Sequence, residues 1–132
     1  MNKDNFIYLG KSGYSDETIQ LDTFPAPSVG RVTFQGDELT SFCPVTGQPD
    51  FYQFKIEYAP DKLCIESKSL KLYITGFRDK QMFAETMCQE MAAYLQSMIY
   101  AKWIKVSLTQ QVRGGITLSV EKEITNESNN NN

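Results

Sequence analysis

Hydrophobic and polar positions alternate in the first half of the chain, which predicts β-strands there. In Phe51–Tyr58 every second side chain is apolar or aromatic and the residues between them are polar, as on a half-buried antiparallel strand. The inward-facing set is Tyr52, Phe54, Ile56 and Tyr58. A second strand is predicted at Arg31–Leu39, where Val32 and Phe34 are strand-forming residues.

The pattern changes to a helical period after residue 66. Apolar residues recur at i, i+3, i+4 and i+7, which is the spacing of one helix face. They are Leu70, Tyr73, Ile74 and Phe77, and the opposite face carries Lys68, Lys71, Thr75 and Arg78. Ser67 is the predicted N-cap. A strand over residues 70–77 is the competing interpretation, because this stretch also has high β-propensity, but the helix is favoured.

Residues 82–99 predict a second helix, because they have an apolar stripe, few β-branched residues and no glycine or proline. The stripe consists of Phe83, Met87, Ala92, Leu95 and Met98 or Ile99. Two further strands are predicted at Trp103–Leu108 and Ile116–Val120, with a turn at Arg113-Gly114-Gly115 between them. The order β-β-α-α-β-β predicts an α+β fold in which two helices cover one face of an antiparallel sheet. Oligomerisation is one way to cover its two open edges.

The length of 132 residues fits one domain. We predict an N-terminal arm at residues 1–29, the single domain at residues 30–121 and a disordered polar tail at residues 122–132. No apolar run approaches the roughly 20 residues that cross a bilayer, and the N-terminus lacks the pattern of a secretory signal. We therefore expect a cytoplasmic protein that does not bind membranes.

The lack of histidine restricts the chemistry more than any other feature of composition. With no histidine in the sequence, Ser-His-Asp and Cys-His mechanisms and histidine-based metal sites are excluded. The cysteines at positions 43, 64 and 88 form no CxxC pair, so we expect free thiols and no metal. The formal charge of −3 argues against a protein built mainly to coat nucleic acid.

The segment FCPVTGQPDF, residues 42–51, is the first candidate for chemistry. It is a turn-rich loop before a strand, and loops on a rigid scaffold often carry functional residues. Cys43 is a candidate nucleophile and Asp50 its candidate proton partner. Taken alone, these residues also fit an ordinary turn with a buried cysteine, which behaves as a small hydrophobic residue.

The second candidate is ESKSLKLY, residues 66–73, in which Lys68 and Lys71 share one helix face. Two ammonium groups can bind a phosphate, although surface lysines are ordinarily solvated. Arg113 is a third candidate cation or an exposed turn arginine. Glu85 suits the positive end of the second helix, and its carboxylate can also accept two parallel N–H donors from a planar ligand such as guanine.

Together the two motifs resemble one family, the QueF-type nitrile reductases, which are NADPH-dependent 7-cyano-7-deazaguanine reductases of queuosine biosynthesis. FCPVTGQPDF is similar to the family's active-site loop, and ESKSLKLY matches its signature unaltered. The similarity continues through FRDKQMFAET to RGGI and spans roughly residues 30–120. The resemblance implies a tunnelling fold (T-fold), whose subunits join their sheets into rings with active sites between subunits. Short members of the family form two stacked pentamers.

The resemblance also implies a function. The nitrile of 7-cyano-7-deazaguanine is reduced to 7-aminomethyl-7-deazaguanine through a covalent thioimide on Cys43, and Asp50 transfers protons. The implied substrate contacts are Glu85, Glu66 and Phe83. The implied NADPH contacts are Lys68, Lys71 and Arg113. A homo-oligomer is implied, with no metal and no direct nucleic-acid partner.

The chain departs from the family pattern in two places. Ala84 stands where the family usually has a histidine that assists substrate binding and proton transfer, and Gln110-Gln111-Val112 replaces a stretch that tends to contain an aromatic residue and a proline. Two other functions stay open. One is an amidine-forming QueF-like transferase that adds ammonia to a nitrile-bearing base, and the other is a non-catalytic purine-binding T-fold module. Whether the product serves tRNA or DNA modification lies beyond the sequence.

Overall fold

A four-stranded antiparallel sheet forms the frame of the molecule. The structure is a computed structural model and describes residues 20–126. Its elements are β1 (Thr23–Pro25), β2 (Val32–Phe42), β3 (Pro49–Ala59), β4 (Leu63–Ile65), α1 (Ser67–Thr75), α2 (Ala84–Ile99), β5 (Trp103–Arg113) and β6 (Ile116–Thr125). The sheet has the order β2-β3-β5-β6, and β1 pairs separately with β4. The predicted α+β order is confirmed, with these two three-residue strands added.

Helix α1 confirms the helical interpretation of the signature segment, and the competing strand is wrong. Leu70 and Ile74 are buried in the core, and Phe77 is buried just after the helix. The N-cap is Glu66 and not Ser67, because the two carboxylate oxygens of Glu66 accept two backbone N–H groups of the first turn. Those N–H groups have no partner inside the helix.

The apolar stripe of α2 begins later than predicted. Phe83 is the N-cap residue, outside the helix, and its side chain is 52% exposed. The stripe prediction is therefore wrong at Phe83 and confirmed at the buried residues Met87, Ala92, Leu95 and Ile99. This displacement leaves an aromatic ring accessible at the start of α2.

The core lies between the helices and one face of the sheet. The inward-facing residues of β3, Tyr52, Ile56 and Tyr58, are fully buried there, as the alternation predicts. The Tyr58 hydroxyl accepts the backbone N–H of Ile65 at 2.8 Å, which fastens β4 to the sheet. Cys88 is also completely buried, and burial raises the pKa of its thiol to about 11, so this cysteine stays protonated at neutral pH.

The two ends of the described range are part of the packed structure. Leu21 is buried, and β1 lies within the predicted arm of residues 1–29. The last strand continues to Thr125 and so overlaps the predicted tail of residues 122–132; residues 1–19 and 127–132 lie outside the described range. Between residues 20 and 126 no helix has the length and apolar character needed to cross a membrane.

Candidate active site

The cysteine loop, residues 43–48, connects β2 to β3 and is closed by its own backbone. The N–H of Cys43 donates to the carbonyl of Gln48 at 2.8 Å, and the N–H of Gly47 donates to the carbonyl of Cys43 at 2.9 Å. Gly47 has a φ of +71°, which glycine adopts without the strain that a side chain brings. These contacts fix the backbone of Cys43 at the point where β2 ends.

The Cys43 side chain is partly exposed and is surrounded by hydrogen-bond donors. The backbone N–H of Thr46, then the Thr46 hydroxyl and the N–H of Val45, hold the pKa of Cys43 below its ordinary value of 9.0. Partial burial opposes this effect, and the positive charge of Arg113 adds to it. A lower pKa increases the fraction of thiolate, which is the nucleophilic form.

Asp50 is a buried carboxylate, 4% exposed, at the start of β3 and opposite Ser41 of β2. The Nη1 group of Arg113 donates to Asp50 Oδ1, and its Nη2 group donates to Gln48 Oε1 at 2.6 Å. Because Arg113 also acts on Cys43, one guanidinium connects the candidate nucleophile, the candidate proton partner and the loop.

The β5–β6 hairpin places Arg113 at this position. Arg113 pairs with Ile116, and the two residues between them, Gly114 and Gly115, have φ values of +60° and +80°. Two consecutive positive φ values are typical of a two-residue hairpin turn, so the predicted turn is confirmed. Tyr52 pairs with Gln110 in antiparallel register, which brings the hairpin tip beside the first residues of β3.

A short backbone pairing brings the start of α2 to the cysteine loop. The N–H of Phe42 donates to the Lys80 carbonyl at 2.8 Å, and the N–H of Met82 donates to the Phe42 carbonyl at 3.1 Å. The half-exposed Phe83 follows directly, and Glu85 is exposed in the first turn of α2. Two of the three predicted substrate contacts, Phe83 and Glu85, therefore lie on or next to the segment that pairs with the residue before Cys43.

Two hydroxyl groups next to these residues were not among the predicted site residues. Tyr52 is 2% exposed and Ser41 is 1% exposed. Burial raises the pKa of Tyr52; the Ser41 hydroxyl opposes this, and the charges of Cys43 and Glu85 raise the pKa further. The charges of Cys43 and Glu85 therefore both act on the Tyr52 hydroxyl. The alternation of β3 places its side chain inward, but no local pattern connects it with Glu85, which is 33 positions away.

The first turn of α1 uses its polar side chains differently. Glu66 Oε2 accepts the N–H of Lys68 at 2.8 Å and Oε1 accepts the N–H of Ser69 at 2.7 Å. Partial burial acts to raise the pKa of Glu66, but these N–H groups hold it below its ordinary value. Ser69 is buried and accepts the backbone N–H of Asp22 at 2.9 Å. Lys68 in this turn and Lys71 just after it are exposed.

The structure thus brings together only part of the predicted site. Arg113 binds Asp50 directly and its charge lowers the pKa of Cys43, whereas Glu85 is connected to the cysteine loop only through the backbone pairing of Phe42 with residues 80–82. The predicted contacts on α1 form a separate group, since Glu66 is bonded to its own helix. Their predicted roles in binding, like that of Arg113 toward the cofactor, stay predictions. In the described part of the chain no group of three or more Cys, Asp or Glu side chains is arranged to hold a metal ion.

Comparison with known proteins identifies the family. The family profile described as "QueF-like protein" matches residues 49–129, more than half of the chain. The chain belongs to the QueF-like family. The matched range includes Asp50, the ESKSLKLY signature, Glu85 and Arg113, and it begins six residues after Cys43.

Members of the QueF-like family with curated names extend the similarity to the cysteine loop. The NADPH-dependent 7-cyano-7-deazaguanine reductase of Zymomonas mobilis is 40% identical over 119 residues, which cover 86% of this chain and 81% of the relative. An aligned stretch of that extent in a chain of 132 residues necessarily includes position 43. The reductase of the same name from Bradyrhizobium diazoefficiens is 43% identical over 110 residues, covering 81% of this chain and 72% of the relative.

A solved structure is similar to the fold. The crystal structure of the archaeosine synthase QueF-Like in the apo form superposes with a TM-score of 0.64 and covers 74% of this chain and 94% of that chain. Sequence identity is 19%, so the likeness concerns the fold alone. It agrees with the tunnelling fold expected of the QueF-like family.

Proposed function

We propose that this chain is an NADPH-dependent reductase that converts the nitrile of 7-cyano-7-deazaguanine into the aminomethyl group of 7-aminomethyl-7-deazaguanine. Relatives about 40% identical carry the name of this reductase. The observation that carries the proposal is that one loop places an accessible thiol of lowered pKa, Cys43, close in the chain to a buried carboxylate, Asp50, that Arg113 binds. A nucleophile and a proton-transfer group are the parts that addition to a nitrile requires.

In the proposed mechanism Cys43 carries the substrate covalently. Its thiolate sulfur bonds to the nitrile carbon, the nitrile nitrogen takes up a proton, and a thioimide results. Asp50 transfers protons in the later steps, and the sulfur leaves as thiolate when the carbon–sulfur bond breaks. The exposed Glu85 carboxylate accepts the N–H groups of the guanine-like edge, and the exposed ring of Phe83 packs against the base.

The cations of α1 fit a dinucleotide phosphate. Lys68 is exposed in the first turn of α1 and Lys71 at the start of the second, and the positive end of the helix adds to the attraction for anions there. NADPH, when bound, supplies the hydride for the reduction. We assign its phosphates to these two lysines. Arg113 fits this task less well, because its Nη1 and Nη2 groups already donate to Asp50 and Gln48.

The separation of the two groups supports a site completed by a second copy of the chain. The cysteine loop and the first turn of α1 carry complementary halves of one set of functions. β2 and β6 are also the edge strands of the described sheet, and β2 pairs beyond β3 only at Phe42, so further strands can extend the sheet. We propose a homo-oligomer built by such pairing, two stacked pentamers in the family's short form, acting in the cytoplasm on the free base without a direct nucleic-acid partner.

The test combines turnover with detection of the covalent intermediate. Oxidation of NADPH is followed by its absorbance with 7-cyano-7-deazaguanine as substrate, and the protein mass is measured after incubation with the nitrile alone. We expect two NADPH consumed per aminomethyl product and one adduct per chain on Cys43. Cys43→Ala abolishes both signals, whereas Cys64→Ala, which changes a buried thiol, retains them.

The possible failures have different meanings. An adduct without NADPH oxidation excludes the reductase and favours the amidine-forming transferase, which is then tested with ammonia as the second substrate. Binding of the base without adduct or turnover favours the non-catalytic module. Full activity of Cys43→Ala rules out the thioimide mechanism.

A further inference from the structure

The cysteine loop closes as a single hydrogen-bonded turn whose donors face the Cys43 sulfur. The N–H of Gly47 donates to the Cys43 carbonyl at 2.9 Å, and in a turn of this type the N–H groups of the interior residues point back toward the first side chain. Pro44 has no N–H to donate. The donors that remain are the N–H groups of Val45 and Thr46, and both are hydrogen-bonded to the Cys43 side chain.

Thr46 adds a third hydrogen bond to the same sulfur, from its side chain. The Thr46 Oγ1 atom accepts the N–H of Gln48 at 3.2 Å. Because a hydroxyl has one hydrogen and two lone pairs, that bond uses a lone pair and leaves the hydrogen for Cys43. The loop therefore fixes the direction of the third bond, with the Thr46 hydroxyl as the donor and the sulfur as the acceptor.

Charged groups on the neighbouring elements favour the thiolate less than these donors do. Arg113 of β5 contributes less to the lowered pKa of Cys43 than any of the three hydrogen bonds of the loop. Its guanidinium already binds the Asp50 carboxylate of β3, whose negative charge offsets its own. The other titratable groups near the loop are the Tyr52 hydroxyl, whose pKa is raised, and the Glu85 carboxylate of α2. Neither brings a positive charge to the sulfur.

We propose that Thr46 is a positioning residue for the nucleophile, and that its hydroxyl donates a hydrogen bond to the Cys43 thiolate before attack and again when the sulfur leaves. In the attack a lone pair of the sulfur forms the S–C bond, and in the departure that electron pair returns to the sulfur. Thr46 keeps its hydrogen throughout. The role in turnover rests on the proposed function, whereas the state of the thiol is measured without substrate.

Loss of the Thr46 hydroxyl has two opposite effects on the reactivity of Cys43. A hydrogen bond to a charged group is worth about a tenfold change in an equilibrium, so we expect about ten times less thiolate at a pH where the thiol is only partly ionised. The thiolate that remains is about three times more nucleophilic, because nucleophilicity rises with thiol pKa along a Brønsted slope of about 0.4–0.5. The reaction is therefore about threefold slower on the acid side of the titration and about threefold faster once the thiol is fully ionised.

The experiment follows alkylation of Cys43 by iodoacetamide across pH, with no nitrile and no NADPH present. The full-length wild type is compared with Thr46→Val, which replaces the hydroxyl by a methyl group, and with Thr46→Ser, which retains the hydroxyl; peptide masses identify the alkylated cysteine. We expect the Thr46→Val profile to move to higher pH and to cross the wild-type profile, whereas Thr46→Ser follows the wild type. Thr75→Val is the matched control, because it removes an exposed hydroxyl that donates to the Lys71 carbonyl in α1, and it is expected to leave the profile unchanged.

Amide hydrogen exchange separates donation by the hydroxyl from support of the loop backbone. Thr46 is exposed in a loop, so we expect Thr46→Val to fold and the N–H groups of Cys43 and Gly47, which close the loop, to exchange at the wild-type rate. An unmoved Thr46→Val profile overturns the proposal. A moved profile with faster exchange of these N–H groups also overturns it, because the loop itself has then opened.

Failure of the proposed function gives a different result. If Thr46→Val moves the alkylation profile but the wild type forms no adduct with 7-cyano-7-deazaguanine, the hydrogen bond to Cys43 is confirmed and the proposed reductase is refuted. If the wild type forms the adduct and Thr46→Val forms it equally fast on the acid side of the titration, the proposed function stands and the role of Thr46 is refuted.

Discussion

At the cysteine loop, polar side chains from distant parts of the chain bond to one another, whereas in the first turn of α1 they bond to nearby backbone. Arg113 donates to Asp50, which is 63 positions away, and to Gln48. The Glu66 carboxylate instead accepts N–H groups two and three residues further along its own helix. Both regions carry a highly specific motif, yet only the first joins side chains that are distant in the sequence.

The difference shows that a motif can be specific for two physical reasons. In ESKSLKLY, Glu66 caps the helix, Ser69 fastens it to Asp22 and Leu70 fills the core. Lys68 and Lys71 are left on the surface. The signature therefore combines residues that hold α1 in place with two exposed cations. The function of those cations depends on the ligand or second chain that they bind. At the cysteine loop, the same residues that hold the geometry also carry the proposed reaction.

Asp50→Asn tests the role of the cysteine loop and has the largest expected effect of these substitutions. It keeps the shape of the side chain but removes the charge that pairs with Arg113 and the group that we propose transfers protons. We expect kcat to fall at least about 100-fold, the usual loss when a general acid–base group is removed. Steady-state oxidation of NADPH with the nitrile as substrate measures it.

The control for Asp50→Asn is Glu57→Gln, which removes another paired carboxylate from β3. Glu57 binds Lys55 at 3.3 Å, so this substitution deletes a salt bridge away from the cysteine loop, and we expect the wild-type kcat. If both variants lose activity equally, the loss reflects the stability of the strand and not a role of Asp50 in proton transfer.

The fold was largely predictable because its main elements have a clear period. The helix at Ser67–Thr75 was predictable because Leu70 and Ile74, which it buries, are four residues apart, the spacing of one helix face. Strand β1 and strand β4 were missed, since three residues are too few to show a period. The N-cap was placed one residue late, because a glutamate rarely takes that role and a serine was adjacent.

The candidate site was predictable in its members but not in its connections. Cys43 and Asp50 were identified from one loop, and a local motif suffices for residues that are close in sequence. The partner of Asp50 depends on the register of β3, β5 and β6, and the approach of Glu85 depends on the pairing of Phe42 with Gln81. Such long-range contacts leave no local pattern, and for the same reason Tyr52 looked like an ordinary core residue.

Lys71→Ala tests whether the first turn of α1 meets the cofactor. If its ammonium binds a phosphate, losing a charge-assisted hydrogen bond costs about 1.5 kcal/mol, which is roughly a tenfold rise in KM for NADPH. We expect KM for the nitrile to change much less. Lys102→Ala, which removes an exposed lysine before β5, serves as the control. Equal changes in both KM values place Lys71 outside the cofactor site.

Glu66→Gln tests the structural role of the helix cap in α1 and has the smallest expected effect of these substitutions. The substitution keeps one acceptor of the cap but removes the charge, so we expect a loss of about 1 kcal/mol in the free energy of unfolding at pH 7. Urea denaturation measures it. Glu90→Gln, a matched change at an exposed position of α2, is expected to leave stability close to that of the wild type.

The pH dependence of Glu66→Gln identifies the source of that loss. The folded state holds the pKa of Glu66 below its ordinary value of 4.5, so the charged carboxylate contributes stability above that pH and loses it as the pH falls through the folded-state pKa. The wild type and Glu66→Gln should therefore differ most at neutral pH and converge in acid below pH 4.5. A difference that is constant between pH 7 and pH 3 means that Glu66 acts through packing, and the charged cap is then the wrong explanation for its place in the signature.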